Sequence, residues 1–181
     1  MKVRLGNKVM VSDPCYGMNT WCQGVLKDVL PGDYECNVEY YDGIGWGDRV
    51  AAIEVVHQDY NGVVGYEPEN FEVGVDSGQV GIFDYEYYTR YHDDTNKYPH
   101  VNDDWYEKVC KITLAKAQTG TIDDLGFVSS SGFGDGEYTC YTARERNGYI
   151  VAIRIEFITD DEYDEDDYDY DDEDEYEEDE E

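Results

Sequence analysis

Glu137-Tyr138-Thr139-Cys140-Tyr141-Thr142-Ala143-Arg144-Glu145-Arg146-Asn147-Gly148-Tyr149-Ile150-Val151-Ala152-Ile153-Arg154-Ile155-Glu156-Phe157-Ile158 is the stretch on which the fold turns. Asn147-Gly148 separates two runs rich in β-branched and aromatic residues, and that dipeptide tolerates the positive φ angles of a two-residue type I′ hairpin. The spacing predicts a hairpin. Its second arm alternates Val151, Ile153, Ile155 and Phe157 with Ala152, Arg154 and Glu156, the period of a strand with one buried face. Just ahead, residues 129–136 hold three glycines and three serines, more freedom than a plain turn needs.

The same alternation recurs upstream. Tyr34, Cys36, Val38 and Tyr40 oppose Glu35, Asn37 and Glu39; Ala51, Ile53, Val55 and His57 share one side of the next run; Phe71, Val73 and Val75 make another. Residues 79–83 read as the hairpin partner of 71–75 across Asp76-Ser77-Gly78, and Gly6-Asn7 as the turn of an opening hairpin. Residues 21–30 admit a short helix or a bulged strand. Asp103-Asp104 can cap a helix through Trp105, Tyr106 and Val109, and Ile112 to Leu114 reads as a further strand. With about eight to ten strands the expected class is all-β, or β-dominated α+β: an antiparallel sandwich or partly open barrel with at most one or two short helices.

Charge divides the chain. Residues 160–181 contain eighteen acidic residues and four tyrosines, which leaves −13 of the formal −31 on residues 1–159. The expected organisation is therefore one globular domain, 1–159, and a disordered acidic tail, 160–181. Such a tail cannot bury apolar surface, and its charges repel within a Debye length of about 8 Å. Scattered Lys and Arg argue against direct nucleic-acid binding, which needs clustered cations. The partners favoured are cations and basic protein surfaces, and tyrosines interleaved with carboxylates would suit a mimic of nucleic-acid charge. No apolar run of about 20 residues spans a bilayer, and the N-terminal residues lack a secretory core, so a cytoplasmic setting is expected. Five cysteines without a C-x-x-C pair signal neither a disulfide framework nor a zinc ribbon.

Four blocks carry a resemblance: Ser12-Asp13-Pro14-Cys15-Tyr16, Gly74 through Asp84, Ser130 through Tyr138, and Ile150 through Phe157. Together they resemble a family of uncharacterised bacterial and phage proteins named only as a domain of unknown function. The resemblance covers nearly all of residues 9–158 and implies one domain in a bacterial or viral setting. It supplies no activity or catalytic residue, and the acidic tail departs from its pattern.

Candidate chemistry is sparse. Asp13, Asp76, Asp84 and Asp135 flank expected strand ends, where converging carboxylates would hold a divalent cation; no other cofactor is predicted. Cys15 with His57 as base and Asp135 as orienter is the nucleophilic alternative, with Ser77 or Ser130 as substitutes. A hydrolase or ligand-binding domain would gather Asp13, Asp76, Asp135 and His57 in one cleft. The glycine loops 43–47 and 132–136 admit an anion nest, with Ser130 and Gly134 as binding groups, although glycine at positive φ is the plainer reason for them. Residues 84–101 read as a long surface loop in which Tyr85, Tyr87, Tyr88, Tyr91 and Tyr98 offer amphipathic contact area. The favoured function is a non-catalytic interaction protein engaging a basic partner through that loop, the tail, or both.

Overall fold

The computed structural model of the protein describes residues 1–43, 47–92 and 101–159. The strands are β1 (Lys2–Leu5), β2 (Lys8–Ser12), β3 (Gly24–Lys27), β4 (Gly32–Gly43), β5 (Gly47–His57), β6 (Glu67–Val75), β7 (Gln79–Asp84), β8 (Thr119–Ile122), β9 (Gly126–Ser130), β10 (Gly136–Arg144) and β11 (Ile150–Glu156). Two short helices, α1 (Tyr85–Tyr88) and α2 (Asp103–Thr113), interrupt them. The strands form two open sheets, ordered β1-β4-β5-β11-β10-β6 and β3-β2-β7-β9-β8, with antiparallel ladders throughout. The expected β-dominated sandwich is present, and neither sheet closes into a barrel.

Two cores explain the layering. Val9, Val11, Val80, Ile82 and Phe127 from the five-stranded sheet meet Val3, Tyr34, Ile53, Val55, Val73, Ile153 and Ile155 from the six-stranded one. The other face of the five-stranded sheet, Met10, Phe83 and Val128, packs against Tyr87, Tyr88, Trp105 and Val109 of the helices. The five-stranded sheet is thus covered on both faces. The six-stranded sheet turns its outer face to solvent, so its strands alternate while those of the inner sheet read as apolar runs.

That difference accounts for several corrections. Gly6-Asn7 does not turn a hairpin, because β1 pairs with β4 and β2 with β3 and β7; the chain crosses between sheets there. Likewise β6 pairs with β10, and β7 with β2 and β9, so Asp76–Gly78 is a second crossing. The β10–β11 hairpin forms, but Glu145 N donates to Tyr149 O and Gly148 N to Glu145 O, which leaves a three-residue loop with Gly148 at φ 91°. Only Gly148 takes the positive φ, so the turn carries an αL glycine rather than a type I′ pair. Residues 24–27 resolve the open segment as a short strand, while Ile112 and Thr113 end α2 instead of forming a strand. Asn102, not Asp103 or Asp104, caps α2: its Oδ1 accepts from Trp105 N at 3.0 Å.

The expected surface loop at 84–101 is corrected in its first part. Asp84 Oδ1 accepts from Tyr87 N at 2.9 Å and starts α1, which buries Tyr87 and Tyr88. Residues 93–100, with Tyr98, and the expected disordered tail at 160–181 lie outside the described residues. No helix among those described is long and apolar enough to cross a membrane.

Candidate functional site

The first, second and third resemblance blocks meet at one end of the sandwich. β2 runs out at Ser12, and the next residue, Asp13, is fully buried. Its carboxylate accepts four hydrogen bonds: Cys15 N (2.8 Å) and Ser77 Oγ (2.7 Å) on Oδ1, Asp76 N (3.0 Å) and Ser77 N (2.8 Å) on Oδ2. A buried carboxylate persists where backbone amides replace its water. Asp13 therefore pins the crossing at 76–78 to the end of β2. Tyr88 OH reaches Ser12 Oγ and the Asp13 and Tyr16 carbonyls at 3.1–3.3 Å, and the His92 ring stacks on Tyr88 with centroids 3.6 Å apart. His92 places Nδ1 2.8 Å from Tyr88 O and Nε2 3.1 Å from Pro14 O. A neutral ring donates through one nitrogen only. Burial nonetheless holds its pKa below the ordinary histidine value, against the pull of both carbonyls.

The nucleophile arrangement does not assemble. His57 ends β5 beside Val151, whereas Cys15 lies with Asp76 and Ser77. Along β10 those two ends correspond to Ala143 and Gly136, seven residues or about 23 Å apart. His57 instead accepts from Asp59 N through Nδ1 (3.2 Å), packs edge-on against Tyr34 at 5.1 Å, and lines a cleft of about 360 Å³ with Asp59, Tyr60 and Glu145. Burial, foremost, raises the Cys15 thiol pKa, opposed by a hydrogen bond from Tyr106. A thiol held protonated is poorly suited to attack. Nearby, Gln79 Nε2 donates to Cys110 Sγ at 3.6 Å, while its buried Oε1 has no partner among the described residues.

Of the four aspartates, three share this end. Val75 pairs with Gly136, which brings Asp135 alongside Asp76. Asp84 pairs with Val9, four residues before Asp13 on the β2–β7 ladder and about 13 Å away, where its Oδ2 accepts from Gly6 N. Asp13 has spent its oxygens on amides and Ser77, and among the described residues no three His, Cys, Asp or Glu groups are placed to hold a metal. The glycine loop is likewise self-contained. Ser130 Oγ donates to Gln118 Oε1 (3.0 Å), Gly134 N to Ser131 O, and Gly134 O accepts from Ser131 Oγ (2.8 Å) and Tyr138 OH (2.7 Å).

The tyrosines serve mainly the second core. Tyr87 OH donates to Asp123 Oδ2 (2.8 Å) and accepts from Trp105 Nε1 (2.7 Å); Tyr91 stacks on Trp105 at 5.6 Å; Lys8 Nζ sits 3.3 Å above the Tyr85 ring. Tyr87 and Tyr88 are accordingly internal, and the contact area expected of them is already used.

Trp21 is an exposed aromatic that the pattern did not single out. Val73 and Val75 point into the core, so Gly74 between them faces outward. A Cβ there would lie 1.8 Å from the Trp21 ring. Trp21 is laid across the outer face of the six-stranded sheet in the space that glycine leaves, and it stays 58% exposed. Tyr16 packs edge-on against it at 6.2 Å and donates its hydroxyl to Asp76 Oδ2, a bond that, more than any other cause, pushes the phenol pKa up. Alternation puts Glu72 on the same face of β6, and Glu137 pairs directly with Gly74. Among the described residues neither glutamate has an ion-pair partner. The signal in the sequence was a glycine inside a Val-Gly-Val strand, which marks a close approach.

The site and fold define a two-sheet β-sandwich domain with a hydrogen-bonded aspartate hub and an acidic, aromatic outer face. Residues 5–155 match the family described as "Protein of unknown function (DUF4241)", and the chain belongs to that family. No curated protein and no solved structure matches the chain.

Proposed function

We propose that this protein is a non-catalytic interaction module of the cytoplasm of a bacterium or of a phage-infected cell, and that its partner is a basic protein surface. The observation that carries the reading is Trp21, exposed over Gly74 with Glu72, Glu137 and Asp76 around it. A cation over an indole face gains about 0.5–2 kcal/mol, and adjacent carboxylates add charge-assisted bonds. The rest of that face leans the same way: Glu39 and Glu156 share Arg154, and Glu54 accepts from Asn37 and Tyr66. The eighteen acidic residues of 160–181 add to the net negative charge of the chain, which steers a basic partner at long range.

The test is titration of the full chain with a Lys- and Arg-rich peptide at low and high salt. Trp21→Ala is expected to weaken binding about tenfold, and Glu72→Gln and Glu137→Gln about threefold each. Asp103→Asn on α2 is expected to change nothing. Equal affinity for all four variants and the parent protein would remove the outer face from the reading.

A further inference from the structure

Cations are scarce here, thirteen against 44 acidic residues, so a place where two of them share one cleft calls for a reason. Arg49 and Lys116 line a cleft of about 540 Å³ between the start of β5, the end of α2 and the end of β9. Among the described residues neither forms an ion pair, and Arg49 Nε is buried without a hydrogen-bond partner. The neutral groups at the cleft are already occupied: Gln118 Nε2 donates to Asp48 O (2.7 Å) and Ser130 Oγ to Gln118 Oε1 (3.0 Å). What fits a buried guanidinium N–H is a carboxylate. Around the cleft stand exposed apolar groups. Leu114, in its lining, is 83% exposed, and Phe133, 57% exposed, meets Tyr41, the strand partner of Arg49, edge-on at 6.3 Å. Tyr40 OH donates to Ala117 O. The surface asks for carboxylates interleaved with aromatic rings.

One segment of the chain has that composition: residues 160–181, eighteen carboxylates with Tyr163, Tyr168, Tyr170 and Tyr176. It also starts nearby. Phe157 N and Ile158 N both donate to Ala51 O, at 2.7 and 3.2 Å, two residues from Arg49 on the same strand. On the other side of its exit stand Glu137 and Glu156, which repel it. An extended chain advances about 3.3 Å per residue, so the four residues from Thr159 to Tyr163 span at most about 13 Å.

We propose that residues 160–181 dock in cis on this cleft, their carboxylates pairing with Arg49 and Lys116 and their first tyrosine covering Leu114 and Phe133. The acidic segment is then held against its own domain until a basic competitor draws it away. This goes beyond the binding reading above and does not depend on it, since neither Trp21 nor Glu72 takes part.

The experiment uses the full chain in two readouts. Under native conditions, chymotryptic cleavage after Tyr163 is expected to accelerate about tenfold in Arg49→Gln/Lys116→Gln and in molar salt. By NMR, the Arg49 Nε–H signal is expected to be slowly exchanging in the parent protein. It should move when the eighteen carboxylates of 160–181 are replaced by amides, a variant that leaves the domain untouched if the cation variant fails to fold. An Arg49 signal unchanged by that replacement, or cleavage insensitive to both cations and salt, would overturn the proposal. Protection that fades on dilution would assign the segment to a second copy and overturn docking in cis.

Discussion

Asp13 and Trp21 lie at neighbouring points of one sandwich end and illustrate opposite uses of polar and aromatic groups. At Asp13 each carboxylate oxygen accepts two hydrogen bonds within 3.0 Å, from three amides and a hydroxyl, supplied by the turn after β2 and the crossing at 76–78. At Trp21 an indole is left 58% exposed, beside carboxylates without ion-pair partners among the described residues. A group whose every bond is satisfied internally serves the fold, because breaking it strands its partners. A group left unsatisfied at the surface is available to something else.

Asp13→Ala should produce the largest effect. It strands three amides and the Ser77 hydroxyl, and the expected loss is about 4 kcal/mol in urea denaturation. A loss under about 1 kcal/mol would mean that water replaces the carboxylate and that the hub is no hub. Next, Gly74→Ala sharpens the contrast, because its methyl cannot coexist with the Trp21 ring. Overpacking predicts about 1–3 kcal/mol of destabilisation, with peptide binding lowered to the level of Trp21→Ala. Unchanged binding would show that the ring's seat on the sheet is irrelevant.

A smaller effect distinguishes the hub by pH. Because the folded His92 pKa lies below the ordinary 6.5, the unfolded chain binds the proton first. Stability should therefore fall as pH drops through about 6.5 and downward, and His92→Gln should flatten that slope. The smallest effect belongs to the outer face. Arg154 grips Glu39 through two bonds of 2.7 and 2.8 Å, and that contact holds the Glu39 carboxyl below its ordinary 4.5. Its contribution is present above about pH 4.5 and is lost as pH falls further. Arg154→Gln should cost about 0.5–1 kcal/mol at neutral pH and less in high salt.

The strands were legible where one face met water. Residues 34–40, 51–57 and 151–157 alternate because the outer face of the six-stranded sheet is solvated, and the pattern placed Ile153 and Ile155 inward and Arg154 outward. Pairing was legible only at the β10–β11 hairpin. Alternation reports which side of a strand is buried and says nothing about its neighbour, so Gly6-Asn7 and Asp76-Ser77-Gly78 read as hairpins although both are crossings. The tyrosines misled for a related reason: Tyr87 and Tyr88 look like surface groups in a polar stretch, but a one-turn helix capped by Asp84 turns them onto Phe83 and Trp105. The aspartates do flank strand ends, while the convergence of Asp13, Asp76 and Asp135 depends on sheet order. Trp21 escaped notice because its partner is the missing side chain of Gly74.

The most direct measurement is amide and indole shift perturbation of the full chain during titration with a Lys- and Arg-rich peptide. The expected result is saturable, salt-sensitive shifts centred on the Trp21 indole, Glu72, Gly74 and Glu137, with Cys15, Ser77 and His92 unmoved. Shifts centred instead on the Asp13 hub, or no saturable shifts on the outer face, would contradict the division between a structural hub and a recognising face.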